Sequence, residues 1–164
     1  MAQELKKRQN FATSPDTLLE ILTDPDFNVD REKAQGALEA TYQEKSRDAQ
    51  RVVGVVSTVE YARGMTGVDK SKTEKNVTTY NWNLTLKSCT WTYESDSPFN
   101  DKFRVSGAMK ISGSGAPAVL ESTVAVSISV PLVGKKIEKM VLKEIDQAWS
   151  NFDKVVENYI AKQG

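Results

Sequence analysis

The sequence predicts an α+β chain in which a curved antiparallel sheet wraps around a long C-terminal helix, with two short helices after the first strand. Three observations lead there: an apolar stripe at steps of three and four over roughly the last thirty residues, period-two alternation through the middle of the chain, and two short helix signals between a first strand and that alternating region.

The first strand ends near Phe11. Ser14-Pro15-Asp16 then supplies a capping hydroxyl, a proline suited to the first helical position and an acid in the first turn. A helix from Pro15 to about Thr23 is expected to bury Leu18, Leu19 and Leu22. Asp24-Pro25-Asp26 is expected to break it, because the residue before a proline is pushed out of the α region. A second short helix should run from about Val29 to Ala37 and end at Gly36, with Arg31, Glu32 and Lys33 in solvent.

From Leu38 to Pro131 the period becomes two. Leu38, Ala40 and Tyr42 alternate with polar neighbours, and Val53, Val55 and Val59 mark the next strand. Tyr80, Trp82, Leu84 and Leu86 share one face. Cys89, Trp91 and Tyr93 continue it in the opposite parity, which calls for a bulge or a tight turn between Lys87 and Ser88. Phe103, Val105, Met109 and Ile111 form the next apolar face, and Val124, Val126, Ile128 and Val130 the last. Turn signals at Ser97-Pro98 and from Ser112 to Pro117 join neighbours, so the sheet should be antiparallel. The closing stripe, from Ile137 through Met140, Val141, Ile145 and Ala148 to Ile160, makes a helix of roughly 45 Å, long enough to cross a sheet.

Composition bounds what such a chain does. Its 164 residues fit one domain, and no linker divides them. Lysine plus arginine equal aspartate plus glutamate at 22 each, so no overall positive field draws the chain to nucleic acid. No apolar run approaches the roughly 20 residues of a membrane span. The N-terminal Lys6, Lys7 and Arg8 precede no apolar core of a signal peptide, and a cytoplasmic protein is expected. The one cysteine, Cys89, closes no intrachain disulfide. With no histidine, imidazole bases and histidine-ligated metals are excluded, so catalysis would rest on carboxylates, tyrosine, lysine or arginine.

Two stretches carry a family resemblance: Phe11-Ala12-Thr13-Ser14-Pro15-Asp16-Thr17-Leu18-Leu19 with Leu22-Thr23-Asp24-Pro25, and Val130-Pro131-Leu132-Val133-Gly134-Lys135-Lys136-Ile137-Glu138. Together with the order of elements they resemble the START-like superfamily, also called SRPBCC or helix-grip, and within it bacterial members that lack an assigned function. The resemblance implies a cavity between sheet and helix. The superfamily includes lipid-transfer domains, plant hormone and allergen-type binders, polyketide cyclases and a chaperone co-activator, so it does not name a ligand.

The candidate ligand-binding residues follow from the faces. Trp82, Trp91, Tyr93, Phe103 and Met109 are expected to look toward the helix, with Tyr42, Val55 and Val126 on the same face, and Met140, Val141, Glu144 and Ala148 are expected to look back. The same side chains would equally serve to fill a core. Binding or transport of a small hydrophobic or lipid-like ligand, without a cofactor, is the first reading. The alternatives are a cyclase- or hydrolase-type enzyme using Glu144, Glu44 or a tyrosine, and a protein-interaction module with a vestigial cavity. The segment from Ala62 to Lys75 reads as a long loop whose Met65, Val68, Lys70 and Lys72 would touch a membrane transiently, and Phe99 as a gate. Lys135 and Lys136, in the first helical turn where the dipole disfavours cations, are candidates for an anion site.

Overall fold

The computed structural model describes residues 3–64, 67–97, 100–132 and 134–163. The chain runs β1 (Gln3–Phe11), α1 (Pro15–Leu22), α2 (Pro25–Ala34), β2 (Glu39–Arg47), β3 (Arg51–Gly64), β4 (Gly67–Asn83), β5 (Ser88–Ser95), β6 (Phe103–Ser112), β7 (Ala118–Ile128) and α3 (Gly134–Gln163), with a 3-10 turn at Asn100–Lys102. The seven strands form one antiparallel sheet in the order β1-β7-β6-β5-β4-β3-β2. Strands β2 to β7 follow one another as hairpins while β1 pairs with β7, so α1 and α2 carry the chain from one sheet edge to the other. The expected fold class holds, including the 30-residue helix.

Local chemistry explains where the short helices begin. Ser14 caps α1, its hydroxyl accepting the Thr17 amide at 3.2 Å. Asp24-Pro25 does not delay the second helix but starts it, which corrects the expected start near Val29. Asp24 Oδ1 accepts the Phe27 amide at 3.0 Å and Pro25 occupies the first turn, where its missing N–H costs nothing. Asn28 is buried and donates from Nδ2 to the carbonyls of Leu22 and Asp24, tying the two helices together. Arg31, expected in solvent, is buried.

Three strand readings also change. Strand β4 ends at Asn83, and Leu84 to Lys87 form a tight turn in which Asn83 Oδ1 accepts the Leu86 amide, so the change of parity is a turn and Leu86 is 59% exposed. In β3 the core side chains are Val52 and Val56, not Val53, Val55 and Val59. The supposed loop from Ala62 to Lys75 is instead the far end of a β3–β4 hairpin, with Arg63 opposite Val68 and an irregularity after Tyr61. Met65 and Phe99 lie outside the described residues.

Packing along α3 is uneven. Toward its C-terminus Phe152 meets Phe11 and Phe27 edge to face, at 6.4 and 5.9 Å between ring centroids, and Val155 and Val156 are buried. At its start the buried Glu138 accepts the Ile128 amide at 3.3 Å. Between these points Ile137, Met140, Val141, Ile145, Ala148 and Trp149 are only half-buried.

Candidate ligand-binding cavity

The middle of α3 is half-buried because a cavity of about 540 Å³ opens between it and part of the sheet, while Ile137, Val141, Leu142, Ile145 and Trp149 also pack against Val124, Val126 and Ile128. In-register rows of alternate residues build the floor. Tyr80, Trp91, Gly107 and Val124 follow one another across β4 to β7, and Thr78, Tyr93 and Val105 form the next row. Met140, Val141, Glu144, Ile145 and Ala148 line the helix side. The Trp91 indole lies flat over Gly107, where an added Cβ would come within 2.4 Å of its ring, so a glycine is what lets the indole settle into the floor.

One end of the cavity is polar. Arg31 and Glu32 reach it from α2, Gln35 from the cap that ends α2, and Thr58, Glu60, Glu74 and Thr78 from β3 and β4. Arg31 donates from Nη2 to the Tyr80 hydroxyl and, at 3.4 Å, to Glu32, while its guanidinium lies 4.9 Å from the centre of the Tyr80 ring. Burial pushes the Tyr80 phenol up to about 12 against the pull of Arg31. Burial also holds the Glu32 carboxyl above its usual range, Arg31 opposing and the charge of Glu60 adding to it. Asn76, on the same sheet face, donates from Nδ2 to Glu60 Oε2, and its Oδ1 has no hydrogen-bond partner among the described residues.

The residues named from sequence divide accordingly. Trp91, Tyr93, Phe103, Met109, Met140, Val141, Glu144 and Ala148 come together around the cavity. Four others do not line it. Trp82 stands on the concave face but is buried in the core beyond the cavity, beside Val52 and Cys89. Val126 is fully buried with Val124 and Ile128 in the cluster packed against α3. Tyr42 lies over Gly54 at the edge of the core. Val55 falls on the opposite face, because its neighbours Val52 and Val56 take the core side. Glu44 is exposed and paired with Arg47 at 2.8 Å. Lys135 and Lys136 are exposed, Lys135 bordering a smaller hollow with Gln3 and Glu138. The polar end was missed from sequence, although stepping back by twos from Tyr80 reaches Thr78, Asn76 and Glu74.

The model of the family DUF2505, described as a protein of unknown function, matches residues 6–160. The chain belongs to the DUF2505 family. No curated protein matches the sequence. The fold of this DUF2505 protein is the helix-grip fold of the START superfamily, shared with solved structures at low sequence identity. One is the Zhui aromatase/cyclase from Streptomyces sp. R1128, 10% identical, with 99% of this chain and 96% of that one covered at a TM-score of 0.68. A second is a START superfamily protein from Mycobacterium smegmatis, 13% identical over 98% and 99% of the two chains, at 0.60. The third is a point mutant of norcoclaurine synthase from Thalictrum flavum in complex with a transition-state analogue, 10% identical over 97% and 96%, at 0.61. These likenesses establish the fold. Among the described residues, no helix is long and apolar enough to cross a membrane.

Proposed function

We propose that this DUF2505 protein binds a small apolar or lipid-like molecule between α3 and the sheet and releases it unchanged. One observation carries the reading: a cavity of about 540 Å³ lies between the sheet and α3, lined on the helix side by residues from Ile137 to Trp149. That size suits a small organic guest, and an apolar hollow forfeits contacts that such a guest would restore. Met109 and Met140 give the walls side chains that adapt to shape. In this reading residues 1–164 act as one domain. The test is fluorescence titration with the uncharged probe N-phenyl-1-naphthylamine, on wild type and Ala148→Trp. Wild type should enhance the probe's emission and the folded variant should not, since the added indole occupies the space. No enhancement by wild type would sink the carrier reading.

Carboxylate chemistry is the second reading, favoured by Glu32, whose buried carboxyl is held above its usual range inside the cavity. A carboxyl so placed keeps its proton to higher pH than an exposed one, the state a general acid needs. Glu32→Gln would then abolish turnover of a substrate while leaving probe binding intact.

Exposed Val68 beside Lys70 and Lys72 on the β3–β4 hairpin supports brief contact with an anionic bilayer during exchange of a lipid-like ligand. Wild type should co-sediment with phosphatidylserine vesicles at low salt and detach as salt rises. Absence of binding at low salt removes that route.

A further inference from the structure

Arg31 follows Phe27 and Asn28 by one turn of α2 and so shares the inward face of a mostly polar helix. It is only 7% exposed. Three rings box the guanidinium in: its central carbon lies 4.9 Å from the centre of the Tyr80 ring, 5.8 Å from that of Phe152 and 6.0 Å from that of Phe27. Burying a group that always keeps its charge is costly unless its donors are met, and here they are met in part. Both of its hydrogen bonds, to the Tyr80 hydroxyl and to Glu32, leave from Nη2. Among the described residues Nε and Nη1 have no acceptor.

Tyr80 adds a second unspent donor. Its hydroxyl accepts from Arg31, which leaves the phenolic proton to be donated, and no acceptor among the described residues takes it. The bond between the two side chains holds their spare donors side by side, and both side chains line the cavity. The side-chain atoms of the described residues that are sealed in protein without a partner are Gln9 Oε1 and Asn76 Oδ1, so the spare nitrogens of Arg31 are not walled in. The hollow is the space they reach.

We propose that Arg31 and Tyr80 form a donor site for the carbonyl oxygen of an uncharged, otherwise apolar ligand. The body of that ligand lies along Trp91 and Met140. A carbonyl oxygen has two lone pairs and brings no proton, so it accepts from the guanidinium and from the Tyr80 hydroxyl together. A carboxylate head would carry its charge up to Glu32 and Glu60 in the same lining, and an ammonium head would meet Arg31 as a like charge. The inference rests on the cavity being a ligand site, and its test separates the two.

Bound N-phenyl-1-naphthylamine is displaced by methyl nonyl ketone, by the hydrocarbon in which a methylene group replaces the carbonyl oxygen, and by undecanoate. Arg31→Met and Tyr80→Phe should each weaken the ketone at least about fivefold more than the hydrocarbon, which the cavity holds without a hydrogen bond. Side chains that only tie α2 to the sheet would weaken both ligands alike. A second readout needs no variant: infrared difference spectra of carbonyl-labelled ketone on wild type should place its stretch at or below its position in water, because one of the two donors is charged. If neither variant folds, that band decides. A band above the position in water, equal losses for ketone and hydrocarbon, or tighter wild-type binding of undecanoate than of ketone overturns the carbonyl site and leaves the carrier reading standing. Failure of the probe to bind at all overturns both.

Discussion

Replacing Gly107 by alanine tests whether the cavity floor is slack. The new Cβ would lie 2.4 Å from the Trp91 ring. Restoring an ordinary contact of about 3.5–4.0 Å moves the indole by about 1–1.5 Å, and the space available to it is the cavity. Overpacking usually costs about 1–3 kcal/mol, and replacing a strand glycine by alanine returns about 0.5–1 kcal/mol. The net loss should therefore stay near or below about 2 kcal/mol, a fall in Tm of no more than about 8 °C for a chain of this size. The raised indole takes guest volume worth one or two methylene contacts, each about 0.8 kcal/mol. Probe affinity should weaken by about four- to fifteenfold. Thermal melts followed by circular dichroism and titration with N-phenyl-1-naphthylamine read both quantities. A fall in Tm beyond about 12 °C with unchanged affinity in the folded fraction would show the indole backed by dense packing, and would refute the reasoning.

At the packed end of α3 the outcome should be the reverse: Phe152→Ala removes the ring shared by Phe11 and Phe27 and should cost about 3–5 kcal/mol by chemical denaturation. A loss below about 1 kcal/mol would mean that this end is not the anchor. Asn28→Leu leaves the buried carbonyl of Leu22 without its donor and should cost about 1–3 kcal/mol, measured the same way; an unchanged denaturation midpoint would contradict that role. Burial raises the Cys89 thiol from 9.0 to about 12 and the Tyr80 phenol from 10.0 to about 12, so both groups are kept neutral by folding. In the unfolded chain they lose protons first, so their contribution is complete below the ordinary thiol value of 9.0 and falls as pH rises toward about 12. Melts of wild type and Cys89→Ala across this range should show the shallower decline in the variant, and parallel curves would exclude the thiol.

Legibility followed the strength of each pattern. The long helix was readable because its apolar steps run without interruption from Ile137 to Ile160, and no other element offers that arrangement so many repeats. The first helix was readable from Ser14 and Pro15, whereas Asp24-Pro25 was read as a breaker because the same two residues that end one helix also cap the next. Strand β3 has β-branched residues on both parities at Val52-Val53 and Val55-Val56, so alternation alone could not say which pair faces inward. The far β3–β4 hairpin lacks apolar alternation altogether: its pairing comes from the backbone ladder, which leaves little trace in side-chain type. The apolar walls of the cavity were found because they resemble a core. Its polar end was not, because glutamate and asparagine on an inward parity look like the solvated side of a strand until the parity of Tyr80 is carried back to them.

The two fastenings of α3 make its middle a span supported at both ends and, between them, along only one side, where Val141, Leu142, Ile145 and Trp149 meet Val124, Val126 and Ile128. Glu138 pins one end to β7 and Phe152 the other to the aromatic cluster, about fourteen residues or 21 Å apart along the axis. A guest under the span acts as a third support. Occupancy at a hundred times Kd would add about 2.7 kcal/mol to the folded state, and the amides of residues 140–149 would gain the greatest protection from hydrogen exchange.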